Sequence, residues 1–184
     1  GGAAAITMAT ATPEVVDRLI LVSSAGGLPL FSTMPSEGQK LIADYYVDGP
    51  SLQKMRAYLE TIIYDTSLIS TELVNDRYQA SLGKIGEAGA GRPQNEPVWQ
   101  RLAEIRARTL VMWGSENRVQ GFDNALFMLK QIPDVEVHLF SKVGLWVPFE
   151  RPAEFVSQTR GFLIPGSQLP DPPEPSGTPA SRNG

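Results

Sequence analysis

A chain of 184 residues, 42% of them hydrophobic, suits one globular domain or part of a larger one. Sixteen Lys+Arg against twenty Asp+Glu give a net charge of −4; with no basic patch to neutralise phosphates, a nucleic-acid partner is not expected. The lack of cysteine excludes thiolate catalysis, disulfides and cysteine metal sites and fits a cytoplasmic location, while no stretch approaches the roughly 20 apolar residues that cross a bilayer.

The first twelve residues, rich in alanine and nearly all apolar, predict a helix buried against a sheet and ended at Pro13. Arg18-Leu19-Ile20-Leu21-Val22-Ser23 is a short continuous apolar run, the pattern of a strand covered on both faces. The glycines of Ser24-Ala25-Gly26-Gly27-Leu28-Pro29 then turn the chain out of the sheet. From Pro35 to Leu82 the spacing is helical. Leu41, Ile42 and Tyr45, then Met55, Leu59, Ile62 and Ile63, then Leu73, Val74 and Tyr78 recur at three and four residues, so three amphipathic helices follow one another. Gly49-Pro50 separates the first two, Ser51 is a fitting N-cap for the second, and Ser70-Thr71-Glu72 can start the third.

Residues 83–97 read as a Gly- and Pro-rich loop. An α/β rhythm resumes beyond it: a short helix over 98–107, a buried strand Thr109 to Trp113, and a helix from Phe122 to Gln131 with Leu126, Leu129 and Ile132 on one side. A strand Val135 to Phe140 comes next, then a helix from Pro152 to Leu163 with Phe155, Thr159, Phe162 and Leu163 at core spacing. Residues 165–184 hold six prolines and almost no bulky apolar side chain, and are expected to be disordered.

This order of elements resembles the C-terminal portion of an α/β-hydrolase with an inserted helical cap. It is most similar to the meta-cleavage product hydrolases, which cut a carbon–carbon bond in 2-hydroxy-6-oxo-dienoates. Gly1-Gly2-Ala3-Ala4-Ala5, Arg18-Leu19-Ile20-Leu21, Tyr64-Asp65-Thr66-Ser67-Leu68-Ile69, Arg77, Thr109 to Gly114, Val137 to Lys142 and Gly144-Leu145-Trp146 carry the resemblance. It implies an α/β fold of parallel strands with flanking helices. The division would be core at 1–34, helical cap at 35–97, core again at 98–164, and a Pro-rich tail at 165–184.

In that family the nucleophile stands in a Gly-x-Ser-x-Gly elbow. Gly1 matches the closing glycine, so the serine would lie two residues ahead of this sequence, and Gly1-Gly2 reads as the inside of a domain. The acid position falls on Asn117 and the base position on Leu145. Asparagine cannot stabilise an imidazolium as a carboxylate does, and leucine has neither a lone pair nor a proton to give. Loss of a nucleophile or base alone costs on the order of 10⁶ in turnover in a worked protease case. Triad hydrolysis by this sequence is therefore not expected.

Glu116 adjoins the acid position but reads as an exposed loop residue. His138 is the sole histidine and lies within the apparent last strand, where a structural role is expected; with no cysteine beside it, neither metal nor cofactor is implied. The resemblance assigns a pocket to Arg77, matching an arginine that holds the substrate carboxylate, and to Trp146, matching an aromatic lining the same cleft. Tyr45, Met55 and Tyr58 read as cap core. A small acidic ligand follows. As partners, the sequence suggests an N-terminal hydrolase half completing a truncated or split enzyme, or further copies in a homo-oligomer. A binding or assembly module without catalysis is the competing reading.

Overall fold

A computed structural model describes residues 1–24, 37–82 and 98–164. The expected glycine-rich turn at 25–29, the loop at 83–97 and the tail at 165–184 lie outside the described residues. The core elements are α1 (Gly2–Ala11), β1 (Arg18–Val22), β2 (Arg108–Gly114), α5 (Asp123–Gln131), β3 (Val135–Phe140), the four-residue α6 (Val147–Glu150) and α7 (Pro152–Leu163). Between β1 and β2 the chain forms α2 (Glu37–Val47), α3 (Leu52–Ile62) and α4 (Thr71–Leu82).

The three strands form a parallel sheet in the order β1-β2-β3, with Leu21 opposite Val111 and Val111 opposite Val137. Alternation sends Leu19, Leu21, Val111 and Trp113 to one face, where they pack with Ile6 and Ala9 of α1, with Leu102 and Ile105, and with Ala125 and Met128 of α5. Ile20, Val22, Leu110 and Met112 go to the other face, against Val143, Val147 and Phe162. Coverage on both faces is why β1 and β2 read as continuous apolar runs. The end of α7 is tied to the start of the sheet, where Arg18 donates to the Phe162 carbonyl and the guanidinium carbons of Arg18 and Arg108 lie 5.7 and 5.4 Å from the Phe162 ring centre.

The cap helices begin and join as local chemistry dictates. Ser51 Oγ accepts the Lys54 N–H at 3.1 Å and Ser70 Oγ accepts the Leu73 N–H at 3.0 Å, each capping a helix start. Gly49 takes a φ of +84° between α2 and α3, and Lys54 Nζ donates to its carbonyl at 2.9 Å. Tyr45, Met55, Leu59, Ile62, Ile63 and Val74 are buried together, with Ile42, Tyr58, Leu73 and Tyr78 packed against them. The apolar stripes read from the sequence are thus the faces the helices bury.

The short helix expected over 98–107 forms as a 3-10 helix at Val98–Glu104 and buries Val98 and Leu102. Other expectations fail. Helix α5 turns Ala125, Met128 and Ile132 inward and leaves Leu126 and Leu129 43% and 45% exposed. The two stripes have the same first spacing, so periodicity alone does not choose between them. Leu163 is exposed beside buried Phe162, and α1 buries Ile6 and Ala9 while Met8 faces out. Helix α6 was not foreseen. No helix among the described residues is long and apolar enough to cross a membrane.

Candidate functional site

The loops after β2 and β3 meet at the C-terminal end of the sheet, where open α/β sheets keep their chemistry. Two glycines let them touch. A Cβ on Gly114 would lie 2.0 Å from the Gly144 carbonyl oxygen, and one on Gly144 would lie 2.2 Å from the Ile62 carbonyl oxygen of α3. Backbone bonds use that closeness: Ser115 N–H to the Phe140 carbonyl and Glu116 N–H to the Val143 carbonyl join loop to loop, each at 2.9 Å. Leu145 N–H to the Ile62 carbonyl, at 2.7 Å, joins loop to cap.

Asn117 is 4% exposed, and its Oδ1 accepts the N–H groups of Val119 at 3.0 Å and Gln120 at 3.1 Å. This is an Asx turn, which an aspartate would make equally well with one oxygen while offering the other to a base. In asparagine the second position is the Nδ2 amide, buried here without a hydrogen-bond partner among the described residues. Leu145 is partly buried and packs on the cap cluster with Trp146. Glu116 is exposed and accepts the Ser115 hydroxyl at 3.0 Å. His138 stands opposite Met112 in the sheet register, its ring 4.4 Å from that of Phe140. Among the described residues, no group of three or more His, Asp or Glu side chains is placed to hold a metal.

Arg77 and Trp146, far apart in the chain, come together. The guanidinium carbon of Arg77 on α4 lies 4.7 Å from the Trp146 ring centre, and Phe149 stacks on Trp146 at 5.2 Å with a 30° tilt. Trp146 is half-buried and Arg77 exposed. Two other arginines are engaged with carboxylates: Arg118 pairs with Glu37 at 3.6 Å and donates to the Glu60 carbonyl, and Arg56 pairs with Glu60 at 3.9 Å. Arg77 has no acidic partner among the described residues. A planar cation held against an aromatic face, with no carboxylate on it among the described residues, is suited to receiving one from a ligand.

The sequence reading missed Glu150. It is 5% exposed, with Oε1 accepting the Gly144 N–H at 2.9 Å and Oε2 accepting the Tyr64 N–H at 2.7 Å. A single glutamate after an apolar run was the available signal, but spacing does not distinguish a buried acceptor of backbone N–H groups from a solvated side chain.

No family model matches the chain. It is 35% identical over 175 residues to a 2-hydroxy-6-oxononadienedioate/2-hydroxy-6-oxononatrienedioate hydrolase of Comamonas testosteroni, covering 90% of this chain and 60% of the relative. A 2-hydroxy-6-oxo-6-phenylhexa-2,4-dienoate hydrolase of Burkholderia cepacia matches with the same identity and coverage. The chain therefore spans about 60% of the length of the curated relatives it matches. Among solved structures, a meta-cleavage product hydrolase from Pseudomonas fluorescens IP01, complexed with acetates, superposes with a TM-score of 0.75 at 25% identity, covering 89% of this chain and 61% of that one.

Proposed function

We propose that this chain, which is homologous to the meta-cleavage product hydrolases and has the C-terminal portion of the α/β-hydrolase fold, binds a carboxylated, dienoate-like ligand at Arg77 and Trp146 without carrying a working acid–base pair to hydrolyse it. The observation that carries the reading is the Arg77 guanidinium stacked on Trp146 with no acidic partner among the described residues. Relatives named for dienoate and dienedioate substrates support the chemical class, since each such substrate presents a carboxylate beside a flat conjugated chain. The cation would take the carboxylate, and the aromatic faces of Trp146 and Phe149 the conjugated part.

Sorbate, a plain hexa-2,4-dienoate, is the probe. Titrated into the protein with tryptophan fluorescence as the readout, it is expected to bind, and Arg77→Ala to weaken it roughly 10- to 100-fold, the equivalent of a lost charge-assisted hydrogen bond of about 1.5–3 kcal/mol. Arg56→Ala, whose guanidinium is paired with Glu60, should leave binding unchanged. Equal losses from the two variants, or no binding by the unmodified protein, would remove the site from Arg77.

Catalysis is the second arm. Asn117 supports the Asx turn and cannot take up the charge of an imidazolium, while Leu145 has no group to accept a proton. The chain is therefore expected to turn over neither a 2-hydroxy-6-oxo-dienoate nor an ester. Turnover by the unmodified chain that His138→Ala abolished would replace this reading with one built on His138.

A further inference from the structure

Three hydrogen bonds and one forbidden Cβ converge where the cap meets the β3 loop, and Glu150 is party to two of the bonds. Its Oε1 holds the Gly144 N–H and its Oε2 the Tyr64 N–H, while Leu145 N–H reaches the Ile62 carbonyl beside them. The same residue closes the loop from within, its own N–H donating to the Trp146 carbonyl at 3.0 Å. Trp146 thus sits in a short ring of chain fastened at Gly144 by the Glu150 carboxylate and at Trp146 itself by the Glu150 backbone. Tyr64 opens the connection between α3 and α4, the helix that carries Arg77.

We propose that Glu150 is the positioning residue of the Arg77–Trp146 site, a carboxylate clamp that makes the Trp146 loop and the α3–α4 connection of the cap open and close as one unit. The physical ground is that a buried carboxylate accepting one backbone N–H on each oxygen cannot release either partner cheaply, since each release gives up a charge-assisted bond, and at Gly144 the bond is buried from water. Gly144 adds the steric half, because the Ile62 carbonyl occupies the place a side chain would take. The consequence for ligand binding rests on the site reading above; the coupling of the two segments does not.

Site-resolved amide hydrogen exchange on the full chain tests the clamp. In the unmodified protein the Tyr64 and Gly144 amides should exchange with matching protection, through one opening. In Glu150→Gln, whose amide can accept at only one of its two positions, both should lose protection at least about tenfold while Val111 and Met112 in β2 keep theirs. Independent exchange of the two amides in the unmodified protein would overturn the clamp, and so would a loss confined to one amide or shared by β2. The first comparison decides even if Glu150→Gln fails to fold. Sorbate titration supplies the positioning readout: affinity should fall in Glu150→Gln. If both amides loosen and sorbate affinity is unchanged, Glu150 clamps but does not position the site, and the proposal fails. If the unmodified protein binds no sorbate, the site reading fails and the positioning role with it, whatever the exchange result.

Discussion

Gly114→Ala is expected to destabilise the protein by about 3 kcal/mol, toward the upper end of the cost of overpacking a well-filled interior. The atoms a methyl group would meet are all backbone: the Gly144 oxygen at 2.0 Å, the Val143 oxygen at 2.3 Å and the Val143 carbonyl carbon at 2.7 Å. No rotamer change can relieve contacts of this kind. The β3 loop must move away from β2, stretching the bond from Glu116 N–H to the Val143 carbonyl and carrying Leu145 and Trp146 with it. At roughly 3–4 °C per kcal/mol for a chain of this size, the midpoint of thermal unfolding should fall by about 10 °C. Sorbate affinity should fall with it, because Trp146 leaves Arg77. A drop of under about 2 °C would mean that the two loops are not in backbone contact in solution. Gly49→Ala provides the contrast: a Cβ there meets nothing within 4 Å, so only its φ of +84° opposes the change.

Trp113→Ala should cost more, about 3–5 kcal/mol, as large aromatic truncations in cores do. Trp113 is fully buried at the end of β2, within the cluster that includes Ile6, Leu21, Val111 and Met128. Its indole Nε1–H also donates to the Gln120 carbonyl at 3.0 Å, holding the far end of the turn that Asn117 forms. Against a typical domain stability of about 5–15 kcal/mol, the loss takes a large share of the whole. Trp113→Phe separates the two contributions. It keeps most of the buried volume and leaves the Gln120 carbonyl without its donor, an expected loss of about 1–3 kcal/mol. Urea unfolding of the two variants checks this, and equal midpoints would show that the hydrogen bond, rather than the ring volume, is what Trp113 contributes.

Much of this protein could be read from one dimension because it depends on local pattern. Apolar runs at Leu19–Val22 and Thr109–Trp113 become strands covered on both faces, since a strand with no polar side has no face to give to water. The stripes through Met55, Leu59, Ile62 and Val74 become the cap interior for the equivalent reason in helices. Ser51 and Ser70 cap because their hydroxyls lie within reach of the unsatisfied N–H groups of the next turn. The family resemblance puts Arg77 and Trp146 forward for one cleft, and the fold sets the Arg77 guanidinium carbon 4.7 Å from the Trp146 ring centre.

What tertiary structure alone decided is which of two equal choices each local pattern took, and which distant backbones touch. On α5 the stripe Ala125–Met128 is buried in the sheet-side cluster while Leu126 and Leu129 face out, an orientation fixed by how the helix packs on the sheet and not by its own spacing. The contacts of Gly114 and Gly144 with backbone across the β2, β3 and α3 junction leave no periodic trace, since nothing in a glycine's own surroundings in sequence records what lies against it. Glu150 is the clearest case: its two acceptor oxygens are matched to N–H groups at Gly144 and Tyr64, the latter 86 residues away in the chain. Hydrophobic periodicity is written residue by residue along the chain, but the pairing of a buried charge with its partners exists only once the fold has brought them within 3 Å.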